Sequence, residues 1–316
     1  MSHGGGGDPR KVVIAALAGN AAIATAKFVA AWLSGSVTML AEGVHSLADT
    51  ANQGLLLVGM RLAAKKDPIR FPMGRAKEIY FWAFIVSLLL FFLGGVFAIS
   101  EGVEKLRHPS HESHGVPIAP LVVLVVSIAA EGGSFMVAFK EFNKSRKGQT
   151  FFRALFGGKD PTIPLVLLED TGAIVGLVVA LVAVALSWLT GSSAVDSIGS
   201  IIIGVLLCAI GVLLAKDTHA LLIGEGITEE VRQEIIRVGR AIDGVLDVTQ
   251  VLSLHLGPDN VLVALKVRFP QDMIVADVER ITNTLEEKLR AAHPELKRIF
   301  VEADSVYDPT KDTEYL

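Results

Sequence analysis

Six apolar runs fill the first two thirds of the chain and limit its fold more than any other feature. Each run is longer than the about 20 residues that a helix needs to cross the hydrocarbon core of a bilayer. The runs cover residues 12–33, 37–60, 79–100, 116–139, 163–189 and 194–215. We therefore predict an all-α membrane domain of six transmembrane helices over residues 12–215, preceded by a short segment at residues 1–11.

The composition agrees with a membrane protein and excludes several other classes. Hydrophobic residues make up 51% of the 316 residues, and the mean hydropathy of +0.52 is too high for a soluble protein of this length. The net charge of −4 gives no indication of a nucleic-acid partner. Cys208 is the only cysteine, so the chain has no internal disulfide and no cysteine-cluster metal site.

The distribution of Lys and Arg orients the predicted helices in the membrane. The loop after the second run contains six basic residues: Arg61, Lys65, Lys66, Arg70, Arg75 and Lys77. The loop after the fourth run contains another six: Lys140, Lys144, Arg146, Lys147, Arg153 and Lys159. The turns at residues 34–36 and 190–193 contain none. Because basic loops stay in the cytoplasm, we predict cytoplasmic N- and C-termini and expect an integral protein of a bacterial inner membrane.

The second run carries polar groups that a lipid-facing helix would not tolerate. Glu42, His45 and Asp49 lie inside it, and an acid near the bilayer centre costs roughly 2.5–3.5 kcal/mol. His45 and Asp49 are four residues apart, so they share one face of a helix. An imidazole and a carboxylate on one face can bind a divalent cation. The alternative is a polar seam that only holds helices together.

The fifth run supplies a second pair of acids, Glu169 and Asp170. Adjacent residues point about 100° apart on a helix, so only one of them can face the second helix squarely. One turn before Asp170 stands Val166, which cannot ligate a metal. In the fourth run, Glu131 precedes two glycines and marks either a packing site or part of a polar path.

Three further polar residues interrupt the apolar runs. We interpret Asn20 as an interhelical hydrogen-bonding residue rather than a ligand. We expect Lys27 to extend its ammonium toward the outer end of the first helix. Asp196 is predicted to cap the N-terminus of the sixth helix.

The loop after the third run carries three histidines, His108, His111 and His114. They either collect metal or are simply solvated, and we favour solvation.

The last third of the chain has the patterning of a soluble domain. Amphipathic helices are predicted at residues 228–239 and 273–292, and strands at residues 245–255, 261–269 and 298–301. This αββαβ order predicts a small α+β domain of ferredoxin-like type over residues 224–305. Residues 216–223 are expected to form a linker, and residues 306–316 a disordered tail. So small a core favours pairing with a second copy of the chain.

Together, these features resemble the cation diffusion facilitator family. The resemblance rests on the AEGVHSLADTANQ stretch at residues 41–53, the acids of the fifth run and the terminal αββαβ domain. Further matches are the segments WLSGS, FPMG and AVDS, which begin at residues 32, 71 and 194. The resemblance covers residues 12–305. The stretch at 41–53 and the segment LEDT at 168–171 are most similar to the branch that contains the animal mitochondrial zinc exporter.

The resemblance implies a homodimer that exchanges a divalent metal, mostly zinc, for protons. The transport site of such proteins joins two residues of the second helix to two of the fifth. His45, Asp49 and Asp170 match that pattern, whereas Val166 departs from it; Glu169 is a possible fourth ligand or proton carrier. Many relatives also bind zinc in the C-terminal domain, where the candidates here are His255, Glu302 and Asp304. We predict that this domain serves dimerisation first.

We therefore predict a secondary transporter in the lipid bilayer that exports Zn²⁺ from the cytoplasm in exchange for protons by alternating access. Two carboxylates would neutralise the divalent charge, and a neutral imidazole would favour zinc over magnesium or calcium. Fe²⁺, Mn²⁺ and Co²⁺ remain alternative substrates, and no organic cofactor is expected. A non-transporting membrane scaffold and an intramembrane metalloenzyme are less favoured, since a scaffold gains nothing from buried acids and the chain has no HExxH motif.

Overall fold

The computed structural model describes residues 8–34, 37–108, 118–146 and 148–303. These residues form two compact units. The first comprises the chain up to Lys65 together with Glu78–His219, and the second comprises Lys66–Lys77 together with the chain from Ala220 onward. The two units correspond to the predicted membrane and C-terminal domains, except that the loop between the second and third runs belongs to the second unit.

Long helices form almost all of the first unit. They are α1 (Pro9–Ser34), α2 (Val37–Ala63), α3 (Glu78–Leu89), α4 (Phe97–Arg107), α5 (Ile118–Ser145), the short α6 (Phe151–Gly157), α7 (Thr162–Thr190) and α8 (Ser193–Ile223). A π-helical segment, Leu90–Val96, connects α3 and α4 into one continuous helix. Helix α1 packs against α2, α5 and α7, and α5 also packs against α7. This arrangement brings the polar residues of α2, α5 and α7 into one region.

Five helical segments among the described residues are long and apolar enough to cross a membrane. They are Pro9–Val29, Glu78–Arg107, Leu121–Ser145, Thr162–Thr190 and Ala194–Ile223. Helix α2 has 27 residues, more than the about 20 required, but it is not one of these five. The prediction of an apolar helical membrane domain is therefore confirmed for five spans, and the sixth span stays a prediction.

Two details of α8 differ from the prediction. The helix begins at Ser193, so Asp196 lies within its first turn instead of capping it, and a carboxylate there still interacts favourably with the helix dipole. Lys105 Nζ lies 3.7 Å from Asp196 Oδ2. The helix also continues to Ile223, so that the residues expected as a linker, 216–223, are helical.

Glycine allows α8 to approach the π-helical segment closely. A Cβ added to Gly95 would collide with Cys208 Sγ and lie 2.8 Å from the backbone nitrogen of Cys208. We expect Gly95→Ala to destabilise the membrane unit by about 1–3 kcal/mol, since over-packing forces neighbouring backbone apart. Gly19→Ala is the matched control, because nothing lies within 4 Å of a Cβ there. Thermal unfolding in detergent measures both variants, and equal melting temperatures would contradict the close approach.

The second unit contains the predicted αββαβ domain. Its elements are α9 (Glu229–Arg240), β1 (Asp247–Gly257), β2 (Asn260–Arg268), α10 (Val275–Ala292) and β3 (Leu296–Ala303). The sheet order is β1-β2-β3, with β1 antiparallel and β3 parallel to β2. Alternate residues of β2, such as Val263 and Leu265, pack with Leu285 and Leu289 of α10 in an apolar core. The small α+β domain is thus confirmed.

The loop Lys66–Lys77 packs within this second unit, which the sequence did not indicate. Arg298 Nη2 of β3 donates a hydrogen bond of 3.1 Å to the carbonyl oxygen of Pro72. Lys77 Nζ donates one of 3.2 Å to the carbonyl oxygen of Leu222. The guanidinium of Arg75 lies 4.6 Å from the centre of the Phe71 ring, a cation–π distance. The FPMG segment therefore has a structural role within the second unit.

Candidate metal transport site

Two adjacent acids of α7 are buried but are bound by different helices. The exposed fractions of Glu169 and Asp170 are 6% and 2%. Glu169 accepts hydrogen bonds from two side-chain amides of α2, Asn52 Nδ2 at 3.2 Å and Gln53 Nε2 at 2.7 Å. Asp170 Oδ2 accepts a hydrogen bond of 2.8 Å from Ser134 Oγ of α5. The 100° separation expected for neighbouring helical residues thus directs the two carboxylates toward different partners.

A third acid, Glu131 of α5, belongs to the same region. Its side chain is 8% exposed, and it lies one turn before Ser134, the residue that binds Asp170. The charges of Glu131 and of Asp49 on α2 both act on Glu169 and on Asp170. Of the two interpretations of Glu131, the structure favours the polar path over simple packing. The signal was present in the sequence as an acid inside an apolar run.

Four acidic side chains from three helices therefore form one group, in which the acids of α2 and α5 both lie within electrostatic range of the two acids of α7. They are Asp49, Glu131, Glu169 and Asp170. Burying even one carboxylate in a bilayer without compensation costs roughly 2.5–3.5 kcal/mol. The amide and hydroxyl donors of Glu169 and Asp170 offset only part of that cost for these two acids, since a neutral hydrogen bond does not cancel a charge. Such a cluster is suited to cations or protons that move through the membrane unit.

The predicted ligand set is only partly placed by the structure. His45 lies on α2 one turn before Asp49, but its side chain is outside the described part of the chain. Among the residues that the structure describes, no group of three His, Cys, Asp or Glu side chains is arranged to hold a metal. Val166 is fully buried in the apolar core of the membrane unit and offers no ligand atom. The set His45, Asp49 and Asp170 remains a prediction.

Helix α1 contributes two buried polar residues to the interface with its neighbours. Lys27 is 6% exposed, and its Nζ donates a hydrogen bond of 2.9 Å to Ser46 Oγ of α2. The expectation that Lys27 extends to the outer end of the helix is therefore wrong, because α2 covers it. Asn20 is 4% exposed, and its Oδ1 finds no hydrogen-bond partner among the described residues, so that oxygen does not make the expected interhelical bond.

The candidate metal residues outside the membrane are scattered. His255 is buried in β1, and its backbone nitrogen and Nδ1 both bond to the carbonyl oxygen of Glu225, at 3.1 and 2.9 Å. Glu302 is exposed, and Asp304 lies outside the described residues. Of the three loop histidines only His108 is described; it is exposed, and its Nε2 lies 3.7 Å from Glu104 Oε1. His111 and His114 fall outside the described part.

Comparison with known families agrees with this architecture. The family profile described as "Cation efflux transmembrane domain" matches residues 13–223, and the one described as "Cation efflux protein, cytoplasmic domain" matches residues 227–306. The chain therefore belongs to the cation efflux family, the cation diffusion facilitators, whose members are metal transporters and not enzymes.

Individual relatives come from animals, plants and bacteria. The chain is 30% identical to the mouse protein named "Proton-coupled zinc antiporter SLC30A9, mitochondrial" over 83% of this chain and 46% of that protein. It is 30% identical to "Metal tolerance protein C4" of Arabidopsis thaliana over 84% of this chain and 58% of that protein. It is 25% identical to "Zinc transporter ZitB" of Pectobacterium atrosepticum over 80% of this chain and 72% of that protein. The chain thus spans about half the length of the mouse and plant proteins.

Proposed function

We propose that this chain is a secondary transporter that exports a divalent transition metal in exchange for protons, with Zn²⁺ as its main substrate. The observation that carries the proposal is the group of neighbouring acids contributed by α2, α5 and α7, of which those of α5 and α7 are buried. Family membership supports metal transport, and the printed names of the mouse and bacterial relatives support zinc. In this proposal α2 is the sixth membrane span, and both termini are cytoplasmic.

The proposed ligands are His45, Asp49 and Asp170. Two carboxylates neutralise the charge of a divalent cation, and an imidazole adds preference for zinc over calcium or magnesium. These groups must lose protons to bind the metal, so release of the metal permits reprotonation. This linkage couples the two flows without a nucleotide. Water or Glu169 fills the fourth position of a tetrahedral site that Val166 leaves without a ligand.

A flux assay in proteoliposomes tests the proposal. We expect Zn²⁺ uptake that accelerates when a proton gradient is imposed across the membrane, together with proton movement in the opposite direction. Competition with Fe²⁺, Mn²⁺ and Co²⁺ then ranks the substrates, since carboxylate and imidazole ligands accept all of them. Protein-free liposomes are the control. Absence of flux of any of these ions would contradict transport and favour a membrane scaffold.

Assembly forms part of the proposal. We propose a homodimer in which the second unit supplies much of the interface, because an isolated domain of about 80 residues has a small core. Deletion of residues 224–316 is expected to shift the purified protein from dimer toward monomer. Light scattering in detergent measures the change. A dimer that persists unchanged after the deletion would place the interface among the membrane helices.

A further inference from the structure

Lys27 is a buried cation that the proposed transport cycle has not yet used. It lies within the span Pro9–Val29 of α1 and is 6% exposed. A lysine inside the hydrocarbon region is costly to insert, as a buried acid is. Ser46 Oγ, one of the groups with which it interacts, is a neutral hydroxyl, which by itself does not cancel the charge. The ammonium therefore needs negative charge nearby to make its burial tolerable.

The position of Ser46 places this ammonium against the part of α2 that carries Asp49. Ser46 is itself buried, with 5% exposed; it follows His45 in α2, and adjacent helical residues point about 100° apart, so Asp49 is the proposed ligand that shares a side of the helix with Ser46. Asp49 lies three residues further on, and helical residues at this spacing have their Cβ atoms about 5–6 Å apart on one side of the helix. The hydrogen bond of 2.9 Å between Lys27 Nζ and Ser46 Oγ thus holds the ammonium on the side of α2 that also carries Asp49, one of the three proposed ligands.

We propose that Lys27 is a tethered counter-ion of the transport site, which sets the affinity for the divalent metal. In the metal-free state its charge offsets part of the negative charge of the acidic cluster. When the metal is bound, the ammonium and the metal repel each other, so that the metal leaves more readily. A transporter benefits from this arrangement because a site that binds too tightly does not release its substrate. The inference rests on the proposed function.

Three substitutions separate the charge of Lys27 from its hydrogen bond. Lys27→Gln removes the charge but can still donate an N–H toward Ser46. Lys27→Met removes both, and Lys27→Arg keeps both. If the charge acts on the site, Lys27→Gln and Lys27→Met both bind metal more tightly, to a similar extent, whereas Lys27→Arg does not. If only the hydrogen bond matters, Lys27→Gln has the metal affinity of the natural protein and Lys27→Met has a different one.

The measurement is calorimetric titration of Zn²⁺ into each purified variant at mildly alkaline pH, where competition by protons is small. We expect the dissociation constant to fall by about tenfold in Lys27→Gln and Lys27→Met, because the positive charge of Lys27 no longer repels the metal. Maximal flux in proteoliposomes should fall at the same time, since release becomes slower. Lys27→Arg should stay within about threefold of the natural protein in affinity, since it keeps the charge.

Lys105→Gln is the matched control, because Lys105 is exposed and pairs with Asp196 in the first turn of α8. Its affinity for Zn²⁺ should not change. Unchanged or weaker binding in Lys27→Gln, while the natural protein binds Zn²⁺, would overturn the role of Lys27 and leave the transport proposal standing. Failure of the natural protein to bind either Zn²⁺ or Co²⁺ would instead overturn the proposed function, and this inference with it.

Discussion

Asp49→Ala is expected to abolish Zn²⁺ transport while leaving the protein folded. The substitution removes one of the two carboxylates that would neutralise the metal. Removing one partner of a buried charge pair costs about 3–5 kcal/mol, which corresponds to a loss of at least about a hundredfold in affinity. Flux into proteoliposomes and size-exclusion chromatography measure transport and folding separately.

Asp196→Ala is the control for this experiment. Asp196 also lies in a membrane helix, but its side chain is 38% exposed and its ion pair with Lys105 is long, at 3.7 Å. Such pairs contribute about 0–1 kcal/mol, so this variant should transport at nearly the original rate. If the purified Asp49→Ala protein still moves Zn²⁺ as fast as the natural one, the metal site does not include α2 in the way proposed.

Asp170→Asn should weaken metal binding, whereas Glu169→Gln should not. Asparagine keeps the shape of Asp170 and can still accept the hydrogen bond from Ser134 Oγ, so the loss is confined to one negative charge. We expect the affinity for Zn²⁺ to fall at least about a hundredfold, by the same charge argument as for Asp49. Calorimetric titration measures it. Asp170 is the acid of the pair that matches the family pattern of ligands.

Glu169→Gln should retain Zn²⁺ binding. The Glu169 carboxylate already accepts hydrogen bonds from Asn52 and Gln53 at 3.2 and 2.7 Å, and it is engaged with these amides of α2. If Glu169 carries a proton during exchange, its neutral replacement makes transport less dependent on pH, which flux at several pH values reveals. Loss of binding in Glu169→Gln, with binding kept in Asp170→Asn, would move the metal site to the face of α7 that meets Asn52 and Gln53.

Much of the architecture follows from patterns that are local in the chain. An apolar run long enough to cross a bilayer forms a helix, because its backbone N–H and C=O groups find no hydrogen-bond partners in lipid other than each other. Five of the six predicted spans were confirmed in this way. Acids inside such runs, including Asp49, Glu131 and Asp170, were visible without coordinates. The alternation of β2 and the amphipathic face of α10 likewise indicated the C-terminal domain, whose strands and helices lie within a few residues of their predicted ends.

Other features depend on which helix packs against which, and periodicity does not contain that information. The spacing of Glu169 and Asp170 predicts that they diverge, but only packing decides that Glu169 meets Asn52 and Gln53 of α2 while Asp170 meets Ser134 of α5. The burial of Lys27 against Ser46 is likewise decided by helix packing. A lysine near a helix end can extend to solvent unless a neighbouring helix covers it, and here α2 covers it.

Hydrophobicity and backbone periodicity specify the classes of the two domains and the order of their elements, and both can be read from the sequence. The partners of individual residues are known only from the folded structure: Glu131 joins the acidic cluster, Lys27 lies beside the helix that carries His45 and Asp49, and the loop Lys66–Lys77 packs within the second unit. These contacts join residues that are far apart in the chain. Their formation depends on the shape and charge of whole surfaces, which no local pattern specifies.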